Sequence, residues 1–327
     1  MRTRLFPALG RDVSVIGLGT WQLGADWGDV SDLDAAATLT AAVDAGVTFI
    51  DTADVYGDGE SERRIARWRA AHPKADVVVA TKTGRRASPH DAEHYSEAAI
   101  REWVDRSRTN LDVDTLDVVQ LHCPPQEIYA DDRVFDIMRS LVAEGVTRTW
   151  GVSVETVAQG LAAIDQPGCA SVQVIVNALR LKPTEELLPA AHERGVAIIA
   201  RVPLASGLLT GKITADTKFG ADDHRNYNRH GEAFDVGETF SGVPFDVGLA
   251  AAGRITAAVP AGITPAQAAL AWLAAQPAVT TVIPGARNPE QARANAAAGD
   301  VDLPDSYDQT VHEVYDELVR EHVHGRW

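Results

Sequence analysis

What most constrains the fold of this 327-residue chain is an alternation of element types. Short β-branched and aliphatic runs recur, each followed by a polar or glycine-containing turn and then by a stretch with helical spacing. The runs are residues 13–18, 47–50, 77–82, 116–122, 149–153, 171–177, 196–200 and 279–283. Between and after them the sequence predicts helices over 31–45, 61–72, 96–110, 134–144, 156–164, 183–195 and 264–276, and a last one from Pro289. Ser31, Ser96, Thr156 and Thr264 stand at starts, Pro183, Pro265 and Pro289 in first turns, and Gly46, Gly145 and Gly195 at stops. Strands that are apolar nearly throughout belong to a parallel sheet covered on both faces. Eight such strand–helix pairs predict an α/β fold, a (β/α)8 TIM barrel.

Three segments exceed that plan. Residues 4–14, with Pro7 and Gly10, predict an N-terminal hairpin able to plug one end of the barrel. Residues 211–247 form a long loop after strand seven, rich in Gly, Asp, Arg and His, too long for a βα connection without a job. Residues 303–322 predict an extra C-terminal helix with Tyr307, Val311, Val314 and Leu318 on one face. Barrels of this length fold as one unit, so a single domain over 1–327 is expected, and a hydrophobic content of 45% is enough for a sizeable core.

Composition narrows the function classes. No apolar run approaches the ~18 residues of a membrane span, and residues 1–15 lack the apolar stretch of a secretory signal. Cys123 and Cys169 have no metal-like spacing and read as buried small hydrophobes, which favours a reducing, cytoplasmic setting. A net charge of −16 disfavours nucleic acid and anionic membranes as partners, while leaving room for a local basic pocket around a phosphate. His224 and His230 form no metal-like pair with a carboxylate, so no metal is assigned.

The chemistry concentrates at strand ends. Strand two runs into Asp51-Thr52-Ala53-Asp54-Val55-Tyr56-Gly57, strand three ends in Lys82 and strand four in His122. The C-terminal rim of such a barrel is where catalytic side chains collect. A phenol with a pKa of about 10 is a useful proton donor near neutrality only beside a cation, and a buried ammonium needs a carboxylate. Taken singly, Asp51 could form a turn, Tyr56 could pack on the surface, Lys82 could snorkel and His122 could sit satisfied in the core. Together on successive strand ends, they point to an acid, a base and an imidazole around one phenol.

These residues resemble the aldo-keto reductases. The likeness rests on the Asp51–Gly57 stretch preceded by Gly46, Ala80-Thr81-Lys82, Gln120-Leu121-His122, Pro203-Leu204 with Gly207-Leu208-Leu209-Thr210-Gly211-Lys212, and Ile283-Pro284-Gly285. It implies NADPH, with NADH as the alternative, bound over the barrel's C-terminal face without a Rossmann fold; Gly17-x-Gly19 lacks that fold's third glycine. By this resemblance Tyr56 protonates a carbonyl oxygen as hydride arrives, Lys82 lowers its pKa, Asp51 holds Lys82, and His122 orients the carbonyl of a small-molecule aldehyde or ketone.

The resemblance also implies cofactor contacts from Gly19, Thr20, Trp21, Asp51, Ser153, Gln173, Arg201, Pro203, Leu204, Gly207, Leu209, Gly211, Lys212, Ile283, Gly285, Arg287, Gln291 and Asn295. Ser153, Gln173 and Asn177 would grip the carboxamide, residues 207–212 the pyrophosphate, and Arg287 a 2′-phosphate. Trp21, Trp27, Tyr56, His122 and the segment Asp222-Asp223-His224-Arg225 would wall the substrate pocket. Val154, Gly285 and Ala286 depart from the family pattern, as does Arg201, which stands where an aromatic ring usually lies under the nicotinamide. A planar guanidinium can stack there too, and beneath the ring its charge should disfavour the oxidised, cationic cofactor relative to the reduced one. Two other functions stay open: a cofactor-sensing binding protein, as in potassium-channel β-subunits of this superfamily, and a Schiff-base aldolase using Lys82.

Overall fold

The computed structural model describes residues 1–24, 30–221 and 223–327. Strands β1 (Thr3–Phe6) and β2 (Arg11–Ser14) form an antiparallel hairpin. The barrel follows as β3 (Leu18–Gly19), α1 (Asp32–Asp44), β4 (Phe49–Asp51), α2 (Glu60–Ala71), β5 (Val78–Thr83), α3 (Glu97–Leu111), β6 (Leu116–His122) and α4 (Asp132–Ala143). It continues through β7 (Thr147–Ser153), α5 (Val157–Ile164), β8 (Cys169–Ile175), α6 (Lys182–Glu185), α7 (Leu187–Glu193), β9 (Ala197–Arg201), α8 (His224–Tyr227), α9 (Phe245–Ala257), α10 (Pro265–Ala275), β10 (Val279–Val282) and α11 (Pro289–Ala297). Helices α12 (Asp305–Val314) and α13 (Arg320–Val323) end the chain, joined by a π-helical stretch, Tyr315–Val319.

The eight strands β3 to β10 pair in parallel in chain order. The sheet closes where the Gly17 amide donates to the Val282 carbonyl (2.8 Å) and the Val282 amide to the Val15 carbonyl (2.9 Å). A Cβ on Gly17 would stand 2.9 Å from the Phe49 carbonyl oxygen, so closure there depends on glycine.

Inside the barrel, side chains alternate along each strand and change character with height. Phe49, Val78, Ala80, Val118, Ala197 and Ile199 form an apolar lower layer, closed below by Phe6 and Val13 of the hairpin. Two residues further along the same strands stand Asp51, Lys82, Gln120 and Arg201, all buried, and His122 completes β6. The opposite parity, Ile50, Val79, Val119, Val152, Val172 and Ile198, packs against the helices. Each large apolar side chain so buried contributes roughly 1.5–3 kcal/mol. The polar upper layer is thus carried on a dry plug.

The structure corrects four expectations. Val13 and Ser14 belong to the hairpin, and the first barrel strand keeps only Leu18–Gly19, because Ser14 and Thr48 exchange side-chain bonds to each other's amides (2.8 and 2.9 Å). Helix six breaks at Glu186 (φ −129°, ψ −56°) into α6 and α7. Helix α9 was not expected. Its sequence carries Gly248 and Gly253, which weaken a helix signal, and α9 packs closely on Leu208, whose Cδ1 would stand 2.8 Å from a Cβ on Gly248. In the C-terminal helix, Tyr307, Val311 and Val314 are buried as expected. The π turn then adds a residue to the period, so Val319 rather than Leu318 takes the next buried place. No helix among the described residues is long and apolar enough to cross a membrane.

Candidate active site

Parallel register brings the strand ends level: Asp51 pairs with Ala80, Lys82 with Gln120, His122 with Ser153, and Ser153 with Gln173. Past Asp51 the chain stays tied to β5, the Thr52 amide donating to the Ala80 carbonyl (2.8 Å) and the Asp54 amide to the Lys82 carbonyl (3.1 Å). It then turns at Gly57 (φ +57°), where a Cβ would collide with the Gly24 carbonyl 1.7 Å away. That turn aims Tyr56 back over the rim. Lys82 Nζ donates to Asp51 Oδ2 (2.7 Å), to the Thr52 carbonyl (2.9 Å) and to Tyr56 Oη (3.2 Å). All three ammonium hydrogens have acceptors, which is what a cation only 1% exposed requires. The Tyr56 ring meets His122 edge-on, centroids 6.1 Å apart, and stacks with Trp21 at 6.2 Å.

The electrostatics differ from expectation at the phenol. Burial raises Tyr56 above its usual value and Lys82 pulls it down, while Asp51 adds to the rise. The lysine acts with the expected sign but offsets burial without overcoming it. Burial lowers Lys82, but Asp51 and Tyr56 outweigh that and hold it above its ordinary value. An ammonium so held is a poor Schiff-base nucleophile. Burial, with Arg85, Lys82 and Arg201 nearby, keeps His122 well below the usual histidine range and therefore neutral. Its Nδ1 is buried with no hydrogen-bond partner among the described residues.

Arg201 is paired with carboxylates on both sides. Its Nη2 bonds Glu155 (3.0 Å) and the Val154 carbonyl (3.0 Å), and its Nη1 bonds Glu238 from the long loop. Arg85 joins Glu155 from the other side at 3.0 Å. Two guanidinium groups and two carboxylates balance, so the charge on which the expected bias against a cationic ligand rests is largely compensated. Cys123 lies beside them, its Sγ 3.5 Å from Ser153 Oγ; burial pushes its thiol up to about 11, so it is protonated near neutrality.

Gln173 and Asn177 also have protein partners. Gln173 Nε2 donates to Asp51 Oδ1 (2.7 Å). Asn177 is consumed by the Val202 carbonyl (2.9 Å), Ser241 Oγ (2.8 Å) and the Leu179 amide (2.9 Å), a loop-holding role instead of the expected carboxamide grip. Beyond β9 the backbone is left-handed at Val202 (φ 52°), Ala205 (47°), Ser206 (54°) and Gly207 (99°), then again at Gly211 (69°). A β-branched residue in that region is strained and persists only where its surroundings hold it, here through Asn177. Pro203 and Leu209 are buried, Leu204 half-buried, and Lys212 exposed.

On the far side of the mouth, Gly19 approaches Ile283, whose carbonyl oxygen would be 3.0 Å from a Cβ. Thr20 Oγ1 donates to the Asp51 carbonyl (2.8 Å). Asn295 Nδ2 holds the Gly285 carbonyl (3.1 Å), and Gln291 Oε1 accepts from the Arg287 amide (2.9 Å), fixing the turn into α11 with Arg287 exposed at its start. Trp21 contacts His224 (centroids 5.6 Å apart) and Phe234 (6.1 Å) of the long loop. Trp27 and Asp222 lie outside the described residues. Among the described residues no group of three His, Cys, Asp or Glu side chains could hold a metal ion.

Residues 15–316 match the model of the aldo/keto reductase family. The chain belongs to that family. It is 30% identical to the aldo-keto reductase YhdN of Bacillus subtilis, over 87% of this chain and 85% of the relative. It is 31% identical to a probable voltage-gated potassium channel subunit beta of Oryza sativa, over 90% and 91%. Among solved structures it resembles the glycerol dehydrogenase AKR11B4 from Gluconobacter oxydans (TM-score 0.79, 28% identity, 98% of this chain and 96% of that one). It also resembles an aldo/keto reductase from Klebsiella pneumoniae in complex with NADP and acetate (TM-score 0.70, 27% identity, 96% of each). Membership supports an oxidoreductase with a nicotinamide cofactor and a carbonyl substrate.

Within this aldo/keto reductase, sequence reasoning missed Arg85, Glu155, Glu238 and Phe234 as residues of the mouth. Glu238 and Phe234 lie in a loop with no periodicity to read. Buried Arg201 was the available signal, since a strand-end guanidinium requires carboxylate partners somewhere in the fold.

Proposed function

We propose that this chain reduces aldehydes or ketones to alcohols with NADPH, Tyr56 supplying the proton. The carrying observation is Lys82 Nζ, which bridges Asp51 Oδ2 at 2.7 Å and Tyr56 Oη at 3.2 Å. Reduction of a carbonyl builds negative charge on oxygen, which needs a donor and a positive field in place beforehand. Tyr56 offers the donor, Lys82 the field, and neutral His122 a second polar contact that does not compete as an acid. Asp51, oriented by Gln173, keeps the ammonium charged and fixed.

The residues fit a dinucleotide. The left-handed run through Gly207 and Gly211, with Lys212 beside it, suits an anionic bridge, and exposed Arg287 at the start of α11 suits a 2′-phosphate and hence NADPH over NADH. When bound, the cofactor supplies hydride; the protein's part is to hold and polarise the carbonyl and to deliver the proton. Trp21, His224 and Phe234 give the pocket an aromatic wall.

The test is Tyr56→Phe, assayed with a panel of aldehydes, ketones and sugars and with both cofactors. We expect cofactor affinity to be kept and turnover to fall by roughly 10²–10⁴; full activity in the variant would remove Tyr56 as the acid. The likeness to potassium channel β subunits favours one second reading, a nucleotide-sensing protein. Steady NADPH consumption over many turnovers would exclude that as the main role.

A further inference from the structure

We propose that Trp327 is a positioning residue that, by seating one segment of the long loop, sets the charge balance at the reacting end of the dinucleotide site. The inference rests on the NADPH-dependent function proposed above. Trp327, past α13, is buried. Its indole lies against the Arg180 guanidinium at 3.9 Å and the Arg326 guanidinium at 4.3 Å, and its Nε1 donates to Asp235 Oδ1 (3.0 Å). Gly242 of the loop rests on the ring, where a Cβ would stand only 2.2 Å from it, and a Cβ on Gly237 would meet Arg180 Nη1 at 2.4 Å, Asp235 Oδ1 at 2.7 Å and the ring at 3.0 Å. The segment 235–242 is therefore fitted to the indole directly at Gly242 and through Asp235 and the Arg180 guanidinium near Gly237.

The other side of that segment reaches the barrel rim. Glu238 pairs with Arg201, its carbonyl accepts from Ser206 Oγ (3.0 Å), and Ser241 Oγ accepts from Asn177 (2.8 Å). Glu238 is the second of the two carboxylates that balance Arg201 and Arg85, so displacing it leaves one positive charge in excess. That charge sits where it acts on the reacting groups: Glu238 raises the Tyr56 phenol and Arg201 lowers the His122 imidazolium. Hydride transfer requires the nicotinamide ring close to a carbonyl carbon held by Tyr56. The oxidised ring is cationic and the reduced ring neutral. An excess positive charge beside it weakens NADP+ more than NADPH, and Trp327 prevents that excess by keeping Glu238 seated.

The experiment measures Kd for NADPH by its fluorescence and for NADP+ by competition, on the full chain without substrate, with folding checked by circular dichroism. Glu238→Gln and Trp327→Ala are each expected to raise the Kd ratio of NADP+ to NADPH by about five- to tenfold. Trp327→Phe, which keeps the ring stack, should stay near the wild-type ratio, and the double variant Glu238→Gln/Trp327→Ala should not exceed Glu238→Gln alone. Gly242→Ala pushes the segment off the indole from the other side and tests the latch if Trp327→Ala does not fold; it should raise the ratio too. An unchanged ratio in Glu238→Gln overturns the charge argument. A changed ratio there with none in Trp327→Ala or Gly242→Ala overturns the latch. If the wild-type chain binds neither dinucleotide, the proposed function fails and this inference with it.

Discussion

The Asp51–Lys82–Tyr56 cluster and the Arg85–Glu155–Arg201–Glu238 cluster stand on the same rim and are built differently. The first is made by two consecutive βα units, β4 and β5, whose register is fixed by ladder bonds and whose turn is tied to β5, so its members cannot drift without breaking the sheet. The second takes two members from loops at strand ends, one from a strand, and one, Glu238, from a segment that reaches the rim only because other contacts hold it. Chemistry that cannot tolerate misplacement of ~1 Å sits on the rigid frame. Charge balance, which varies more gently with distance, is left to the loop.

The sharpest way to test that contrast is to remove a charge from each cluster. Lys82→Met leaves the Asp51 carboxylate buried without its cation, and should cost about 3–5 kcal/mol in urea unfolding, because a buried charge loses the ionic partner it has among the described residues. Glu238→Gln should cost clearly less in the same assay, since Arg201 keeps Glu155. Equal losses would break the distinction between frame and loop.

A second prediction probes strain inside the rigid half. Asp54 is fully buried next to Tyr56's turn, and among the described residues neither carboxyl oxygen has a hydrogen bond of normal geometry. Burial and Glu62 raise its pKa to about 7, against the pull of Arg86, Arg106 and the Val55 amide. Below about pH 4 both folded and unfolded chains hold this proton, and there is no penalty. Between there and about 7 the unfolded chain releases it while the folded chain retains it, so stability falls as pH rises and then levels off. Asp54→Asn should therefore be stabilising at pH ~8, by a few kcal/mol at most, and near neutral in effect at pH ~4. Denaturation at the two pH values checks it, and a gain that does not grow with pH contradicts the assignment.

The smallest expected effect concerns the loop half. Phe234→Ala removes a ring set against Trp21 and His224, and should raise KM for an aromatic aldehyde roughly fivefold with kcat little changed, the pattern of lost uniform binding. A fall in kcat without a change in KM would show instead that the loop acts on the reacting atoms.

How much of this was legible in the sequence follows the same division. The strand-borne residues Asp51, Lys82 and His122 could be placed because period-two alternation within an apolar run fixes both face and height. The net direction of the Tyr56 shift could not, because burial depends on Trp21 and on loops whose approach no local pattern encodes. Gln173 was legible as a strand-end amide, yet its donation to Asp51 depends on a residue 122 positions away. Glu238, the loop partner of Arg201, was missed for want of a periodic signal in 211–247, and helix α9 because glycines interrupt its sequence just beyond that loop.

By itself, the order of apolar runs, caps and stops determined the barrel, its polar rim and the identity of the groups gathered there, since these follow from short-range periodicity and the closure of parallel strands. Only the tertiary structure decided which charges meet. Glu238 reaches Arg201, and Trp327 reaches residues 235–242, through contacts between segments far apart in the chain, where loop closure and burial select the partner and sequence spacing carries no record of the choice.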